Sequence, residues 1–329
     1  MGGQVRLGII GSGGFARYHL GLLSAIPEAS VAAFCDPDDA QIAQCRASFP
    51  DLAEVPGYST HQDMLSAGGL DAVLVCSPHT LHTAQVQDAF SAGLHVLVEK
   101  PLATSVPDSK ALIKARDASG KVGAISYQRH GSGPFQYIKE AIATGRYGKI
   151  LGLNSHLTQQ WLQFTQGTWR QKLALSGGGQ INDSGSHMID ILLWITGLKA
   201  KRVSAMMDNR GTEVDIESVV GIEFEGGTYG SLTIIGDACL WHERHHLWLE
   251  KAAFILEGDD LLIIDEAGRN TRVSNWPKAT SPDQNFVDAI LRGAEVLAPF
   301  ECGLRTIELT EAAWKSGAQG GVPVEVSSL

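Results

Sequence analysis

The chain has no Cys-x-x-Cys pair, no internal repeat, no low-complexity tract, no apolar run of membrane-spanning length and no surplus of positive charge. Each absence removes a class of protein. Cys35, Cys45, Cys76, Cys239 and Cys302 are odd in number and scattered, which excludes a disulfide framework or a cysteine zinc site and fits reduced thiols. A formal net charge of -10 argues against nucleic acid or an anionic membrane as partner, although a few local cations suffice for an anionic substrate. Without an apolar stretch of about 20 residues no transmembrane helix is expected. The N-terminus also enters its first apolar run too early for a signal peptide. The expectation is a soluble cytoplasmic protein.

What is present is ordinary globular material. Hydrophobic residues make up 44% and charged residues 19% of 329 positions, enough for two domains with a core in each. Up to about residue 125, short apolar runs alternate with helical periodicity. Strands are predicted at Val5–Ile10, Ser30–Cys35, Asp71–Cys76, Leu94–Val98 and Lys121–Ser126, with helices at Phe15–Ile26, Asp38–Phe49, Leu81–Ala92 and Ser105–Ser119. Strict alternation implies right-handed βαβ units and a doubly wound parallel sheet, an α/β fold.

After Tyr127 the texture changes. Helices are predicted at Pro134–Thr144 and Asp183–Ile195, the latter with Met188, Leu192 and Ile195 in one stripe, and a strand at Ile150–Gln159. Six strands follow, at 202–207, 218–224, 228–235, 246–249, 252–257 and 260–265, some separated by turn pairs such as Gly226-Gly227 and Gly258-Asp259. Two helices, Pro282–Arg292 and Cys302–Gln319, end the chain. The domains are therefore expected at 1–125 and 126–329, the second an α+β unit around a mostly antiparallel sheet.

Gly11-x-Gly13-x-x-Ala16 lies between the first predicted strand and helix. The first glycine permits a tight turn and the second lets backbone amides approach a pyrophosphate. The third small residue allows close helix–strand packing, and the helix N-terminus adds partial positive charge. Asp36 ends the second strand about 20 residues on, where a carboxylate accepts from the adenosine ribose hydroxyls and repels a 2′-phosphate. Pro37, Asp38 and Asp39 bring no cation, so NAD is expected rather than NADP. A helix N-cap is the competing role for Asp36.

Ser77-Pro78-His79 and Glu99-Lys100-Pro101 end two more buried strands at the carboxyl edge, where open α/β sheets bind ligands. Lys100 reads either as a lysine aimed at cofactor or substrate or as a solvated lysine in a surface turn. His79 and His82 stand at a helix start, with capping or packing as the competing role.

The second constellation is Gly177-Gly178-Gly179-Gln180-Ile181-Asn182-Asp183-Ser184-Gly185-Ser186-His187. A triple glycine brings backbone close to something, and Gly185 leaves room for a flat ligand. Asp183 and His187, four apart, project from one helix face that Asp190 and Trp194 extend. An aspartate so placed orients the imidazole and supports its charged form, as a general acid/base for alcohol–carbonyl interconversion requires. The alternative is an N-capping aspartate with a surface histidine. His242, His245 and His246 are dense but lack a matching carboxylate spacing, so no metal is expected.

Together these residues resemble the Gfo/Idh/MocA (glucose-fructose oxidoreductase / inositol dehydrogenase) family. The fingerprint, Asp36, Glu99-Lys100-Pro101, Trp169-Arg170, the glycine run with Asp183, His187 and Asp190, and Ala313-x-x-Ser316-x-x-x-Gly320 match in order and spacing over nearly the whole chain. The resemblance implies an N-terminal Rossmann domain and a C-terminal domain whose open sheet forms the interface of a homodimer or homotetramer. It implies pyridine-nucleotide-dependent hydride transfer to or from a carbinol carbon of a sugar, cyclitol or related polyol. Carried onto this chain, Lys100, Asp183 and His187 form the catalytic group. Cofactor contacts fall to Gly11, Gly13, Gly14, Phe15, Ala16, Asp36, Ser77, Pro78, His79, His82, Glu99, Lys100, Pro101, Gln128, Trp169 and Arg170. Substrate contacts fall to Lys100, Arg129, Gln160, Trp161, Asp183, His187 and His242, because polyols need many hydrogen-bonding groups and an aromatic face; Trp169 and Arg170 are shared candidates. Tyr127–His130 and Gln159–Phe164 match no particular subfamily and leave the substrate open. Two rivals use the same fold: a glycoside hydrolase that uses tightly held NAD for transient oxidation of its substrate, and an NAD-sensing regulator without catalysis.

Overall fold

The computed structural model describes residues 3–326, which form two compact units. The first gathers the residues up to Ala103 with Pro107–Gln128 and Thr280–Gly303; the second gathers Thr104–Val106, Arg129–Ala279 and the residues from Leu304 on.

In the first unit β1 (Val5–Ile10), β2 (Ala29–Cys35), β3 (Gly57–Tyr58), β4 (Ala72–Val75), β5 (His95–Val98) and β6 (Gly123–Ile125) make one sheet of order β3-β2-β1-β4-β5-β6. Every pairing is parallel. All four residues of β4 and three of β5 are buried, as strands covered by helices on both faces require. The covering helices are α1 (Gly14–Leu23), α2 (Asp39–Ser48), α3 (His61–Ala67), α4 (His82–Ser91) and α5 (Val106–Ser119). Ile10 pairs with Val75 and Val75 with Val98, so the fingerprint, Ser77-Pro78 and Glu99-Lys100-Pro101 all leave the sheet at one level of its carboxyl edge. The order reverses between β1 and β4, the usual ligand position in such sheets.

The helix Pro282–Arg292, expected in the second domain, packs in the first unit. Its Phe286 and Val287 join Leu7, Ile9, Leu74 and Leu97 in one core. Burying that apolar stripe against β1 outweighs chain continuity.

The second unit holds β7 (Ile150–Thr158), β8 (Ala200–Asp208), β9 (Glu217–Phe224), β10 (Tyr229–Ile235), β11 (His242–Leu249), β12 (Ala252–Glu257), β13 (Asp260–Asp265), β14 (Asn270–Val273) and β15 (Val324–Glu325). They form one nine-stranded sheet, β14-β13-β12-β11-β7-β10-β9-β8-β15. The β7–β10 pair is parallel and the remaining pairs are antiparallel. Gly226 and Gly227 both take positive φ, 83° and 88°, which closes the β9–β10 hairpin. Alternate residues such as Leu157, Leu232, Ile234 and Leu247 pack with Met188, Ile189 and Leu192 of the helix Ser184–Thr196. The polar stretch His242–Arg244, outside the predicted strand, extends β11 because backbone pairing with β7 does not depend on which side chains the strand carries. Among the described residues no helix is long and apolar enough to cross a membrane.

Candidate active site

The fingerprint glycines divide into two kinds. Gly11 has φ +84°, and a Cβ there would lie 2.6 Å from the Ser77 backbone nitrogen, so the fold itself demands glycine. Beside Gly13 a Cβ would meet nothing within 4 Å, and Gly14 has only Arg17 at 4.0 Å. The chain's own packing does not explain these two glycines; a backbone left open to a ligand does. Gly13 caps α1 without a side-chain bond, so first-turn N–H groups of a ten-residue helix stand at that opening, which fits a pyrophosphate. Asp36 accepts from the Ser12 N–H at 2.8 Å through Oδ2 and from the Asp38 N–H at 3.0 Å through Oδ1. Each oxygen keeps a further lone pair for a ribose hydroxyl. The helix cap is Asp38, whose carboxylate accepts from the Ala40 N–H.

The Lys100 turn is braced from several sides. His82 is buried, with Nδ1 2.8 Å from the Pro101 carbonyl and Nε2 3.0 Å from the Ser77 carbonyl, tying the ends of β4 and β5 together. Burial pushes its pKa down, so among the sequence-derived cofactor contacts it is a strut. His79, also buried, stands edge-on to it at 5.9 Å. Ser77 Oγ donates to Gln85 at 2.5 Å. The Lys100–Pro101 peptide is cis. Lys100 is buried and its ammonium lies 5.7 Å from the centre of the partly exposed Phe15 ring. Beneath it, Glu99 accepts the Lys100 N–H at 3.2 Å and meets His19 Nε2 at 2.9 Å, while His19 Nδ1 faces Asp283 at 2.8 and 3.0 Å. Burial opposes a charged His19, but the two carboxylates prevail and hold its pKa up at about 10. Burial likewise opposes ionised Glu99, and His19 and Lys100 hold it below the usual carboxyl range. His19 and Asp283 were missing from the sequence-derived site. The available signal was a histidine three residues after Ala16, on the α1 face that is buried. Gln128, at the exposed start of the turn Gln128–Gly131, closes this unit's candidates.

In the second unit Asp183 occupies the N-cap position of Ser184–Thr196 but makes no side-chain cap. Its Oδ2 accepts from the Trp161 indole at 2.9 Å and from Arg170 Nε at 3.1 Å. Trp161 is only 2% exposed and packs with Val214 and Ile216, so it supports Asp183 where an open aromatic face had been expected. Trp169 lies under the Arg170 guanidinium at 4.4 Å. Gln160 leads into the turn Trp161–Phe164, and His187 is half-buried on the first turn of its helix. Asp190, placed on the reactive face by its spacing, meets His130 Nε2 at 2.7 Å, and the His130 ring lies 4.3 Å from Trp194. Arg129 clasps Glu243 through two nitrogens, and Glu243 also meets His245 Nε2 at 2.9 Å.

Two expectations change here. A Cβ at Gly185 would lie 2.5 Å from Ile234, so this glycine admits neighbouring protein, not a flat ligand, whereas the triple glycine does bring backbone close to something: a Cβ at Gly179 would lie 1.9 Å from the Asp215 carbonyl oxygen. Asp215 is the hub of that loop: it accepts from the Gly179 and Ile181 N–H groups at 3.0 and 2.9 Å and from the Trp314 indole at 2.9 Å. Burial raises its pKa. His242, expected among substrate contacts, points away from the inner face because Leu247 and Leu249 point inward on the same strand. It meets His156 Nε2 at 2.9 Å and Glu257 at 3.0 Å. Both polar atoms of the buried Gln180 amide are without a partner among the described residues, as a site for water or a ligand hydroxyl would leave them.

This is a two-unit α/β protein with an open glycine turn at the start of α1 and, in the second unit, a glycine-rich loop that leads to Asp183 and His187. Residues 5–127 match the family described as "Oxidoreductase family, NAD-binding Rossmann fold", and residues 135–253 match "GFO/IDH/MocA C-terminal domain". The chain belongs to the Gfo/Idh/MocA oxidoreductase family, and its cofactor is NAD. It is 25% identical over 285 residues to D-glucoside 3-dehydrogenase of Escherichia coli, covering 85% of this chain and 80% of that one. It is 29% identical over 206 residues to inositol 2-dehydrogenase of Streptomyces avermitilis, covering 60% and 55%. Several other curated relatives are matched over only 50 to 58% of their length. The WlbA dehydrogenase of Bordetella pertussis, solved with NADH and UDP-GlcNAcA, superposes with a TM-score of 0.83 at 25% identity over 98% of each chain.

Proposed function

We propose that this protein is an NAD-dependent dehydrogenase or reductase acting on the CH–OH group of a sugar, cyclitol or related polyol. The observation that carries the reading is the alignment of the open Gly13–Gly14 cradle and the braced Lys100 turn along one sheet edge of the first unit. NAD, when bound, supplies the redox partner at its nicotinamide ring. Lys100 donates a hydrogen bond to the reacting oxygen and stabilises its developing negative charge. His187 takes up the hydroxyl proton in oxidation and returns it in reduction, for which an imidazole with an ordinary pKa of about 6.5 is suited. Asp183, held by Trp161 and Arg170, orients His187 or a second substrate hydroxyl. Gln180 offers a donor and an acceptor to further hydroxyls. The outer face of the second unit's sheet is proposed as the interface of a homo-oligomer, in a cytoplasmic setting.

The test is NAD reduction across a panel of inositols, aldoses, sugar acids and amino sugars. One or more active polyols are expected, with Lys100→Ala and His187→Ala each lowering kcat by about 10²-fold or more. Tight NAD binding with no response to any member would favour the hydrolase or regulator, and near-normal turnover in His187→Ala would remove the role given to that residue.

A further inference from the structure

We infer that His19 is a positioning residue: a fixed cation clamped between Asp283 and Glu99 that sets the carboxylate under the Lys100 turn. The clamp joins three parts of the first unit, namely α1 of the dinucleotide cradle, the end of β5 and the helix Pro282–Arg292. A neutral imidazole has one ring nitrogen that only accepts, so it would turn a lone pair toward a carboxylate. With carboxylate oxygens 2.8 Å from one nitrogen and 2.9 Å from the other, both nitrogens donate only when the ring is protonated. His19 and Asp283 are fully buried, and Glu99 nearly so, which leaves water little part in screening these charges.

The surroundings are complete enough to balance the charges. Asp283 and Glu99 are the anions, and His19 and Lys100 the cations. The Cys76 thiol is pushed well above its usual range by burial and then by Glu99 and Asp283, so it adds no charge. Ser126 Oγ lies 3.5 Å from His19 Nε2, and the Tyr18 ring stands edge-on to the imidazole at 5.7 Å. Removing the imidazolium alone leaves two buried carboxylates and one lysine. Glu99 then has to take up a proton, which makes it a weaker acceptor for the Lys100 N–H, or turn away, which removes that acceptor. The clamp is independent of the substrate; its effect on turnover rests on the proposed role of Lys100.

The first test is a two-bond ¹H–¹⁵N correlation spectrum of histidine-labelled protein, with His19 assigned by its loss in His19→Gln. Both ring nitrogens should be protonated from pH 6 to 9, and a neutral tautomer at pH 8 would overturn the clamp. The second is NADH fluorescence titration of His19→Gln and of His19→Gln/Asp283→Asn. The single variant should bind NADH at least tenfold more weakly, with a new pH dependence between 5 and 8 as Glu99 titrates. The double variant, with one anion fewer, should regain most of that loss, and an equal deficit in both would reduce His19 to a space-filler. Should His19→Gln not fold, Asp283→Asn alone retains the ring, and its His19 should titrate at lower pH than in the wild type; an unchanged titration would overturn the clamp. None of these readouts needs a substrate, so a silent polyol panel leaves them standing. Normal turnover alongside a neutral His19 would defeat the clamp alone.

Discussion

Arg129 and Glu243 show how one distant partner redefines a residue. In sequence Arg129 is a loose cation suited to a substrate; folded, its guanidinium grips a carboxylate 114 residues away. Burial opposes the charge on Glu243, yet His245 and Arg129 bring its pKa down to about 2. A carboxyl lowered from 4.5 stabilises the fold above its unfolded value and loses that contribution as pH falls toward 2. Arg129→Ala should therefore cost about 3 kcal/mol at pH 7 and less at pH 3. Urea unfolding at the two pH values measures it, and an equal cost at both would contradict the account. His19 has the opposite sign. With its pKa raised from 6.5 to about 10, its contribution is complete below 6.5 and disappears as pH rises through 10. Alkaline unfolding between pH 7 and 10 should accordingly be steeper in wild type than in His19→Gln.

At the scale of elements, the two glycine loops look alike in sequence and do different work. Gly13 faces open space at the start of α1, whereas Gly179 is pressed against the Asp215 backbone. Gly13→Ala should leave stability within about 1 kcal/mol of wild type but weaken NADH binding about tenfold or more. Gly179→Ala should do the reverse, costing at least 4 kcal/mol or the folded state itself, because the blocking atoms are backbone. Thermal melts with NADH titrations on both variants separate the two roles. The fingerprint was legible because its function is local: a strand, a turn and a helix start within six residues. The partner of the triple glycine was not, because Asp215 enters from 36 residues downstream and Trp314 from near the end of the chain.

On the scale of the whole molecule, the second unit's sheet covers its inner face with helices and leaves apolar side chains exposed on the other. Met206 pairs directly with Val219 across β8 and β9, and Gly152 lies between Tyr229 and Trp248. All four side chains are exposed. These exposed apolar side chains are what the proposed association surface would use. Met206→Asp/Tyr229→Asp should lower the sedimentation coefficient to that of a single chain while preserving NADH affinity; an unchanged assembly would place the interface elsewhere. Sequence alone determined the fold class, the parallel sheet implied by βαβ alternation, the cofactor and the family; the strand order came from the structure. Those rest on periodicity and short motifs, whose physics acts over a few residues. It also marked Lys100, Asp183 and His187 as candidates by spacing. Only the tertiary structure decided what holds them: His19 bridging Glu99, 80 residues on, and Asp283, 264 residues on, and Trp161 reaching back to Asp183. Hydrogen bonds and ion pairs depend on angstroms of separation in space, and separation along the chain does not encode that.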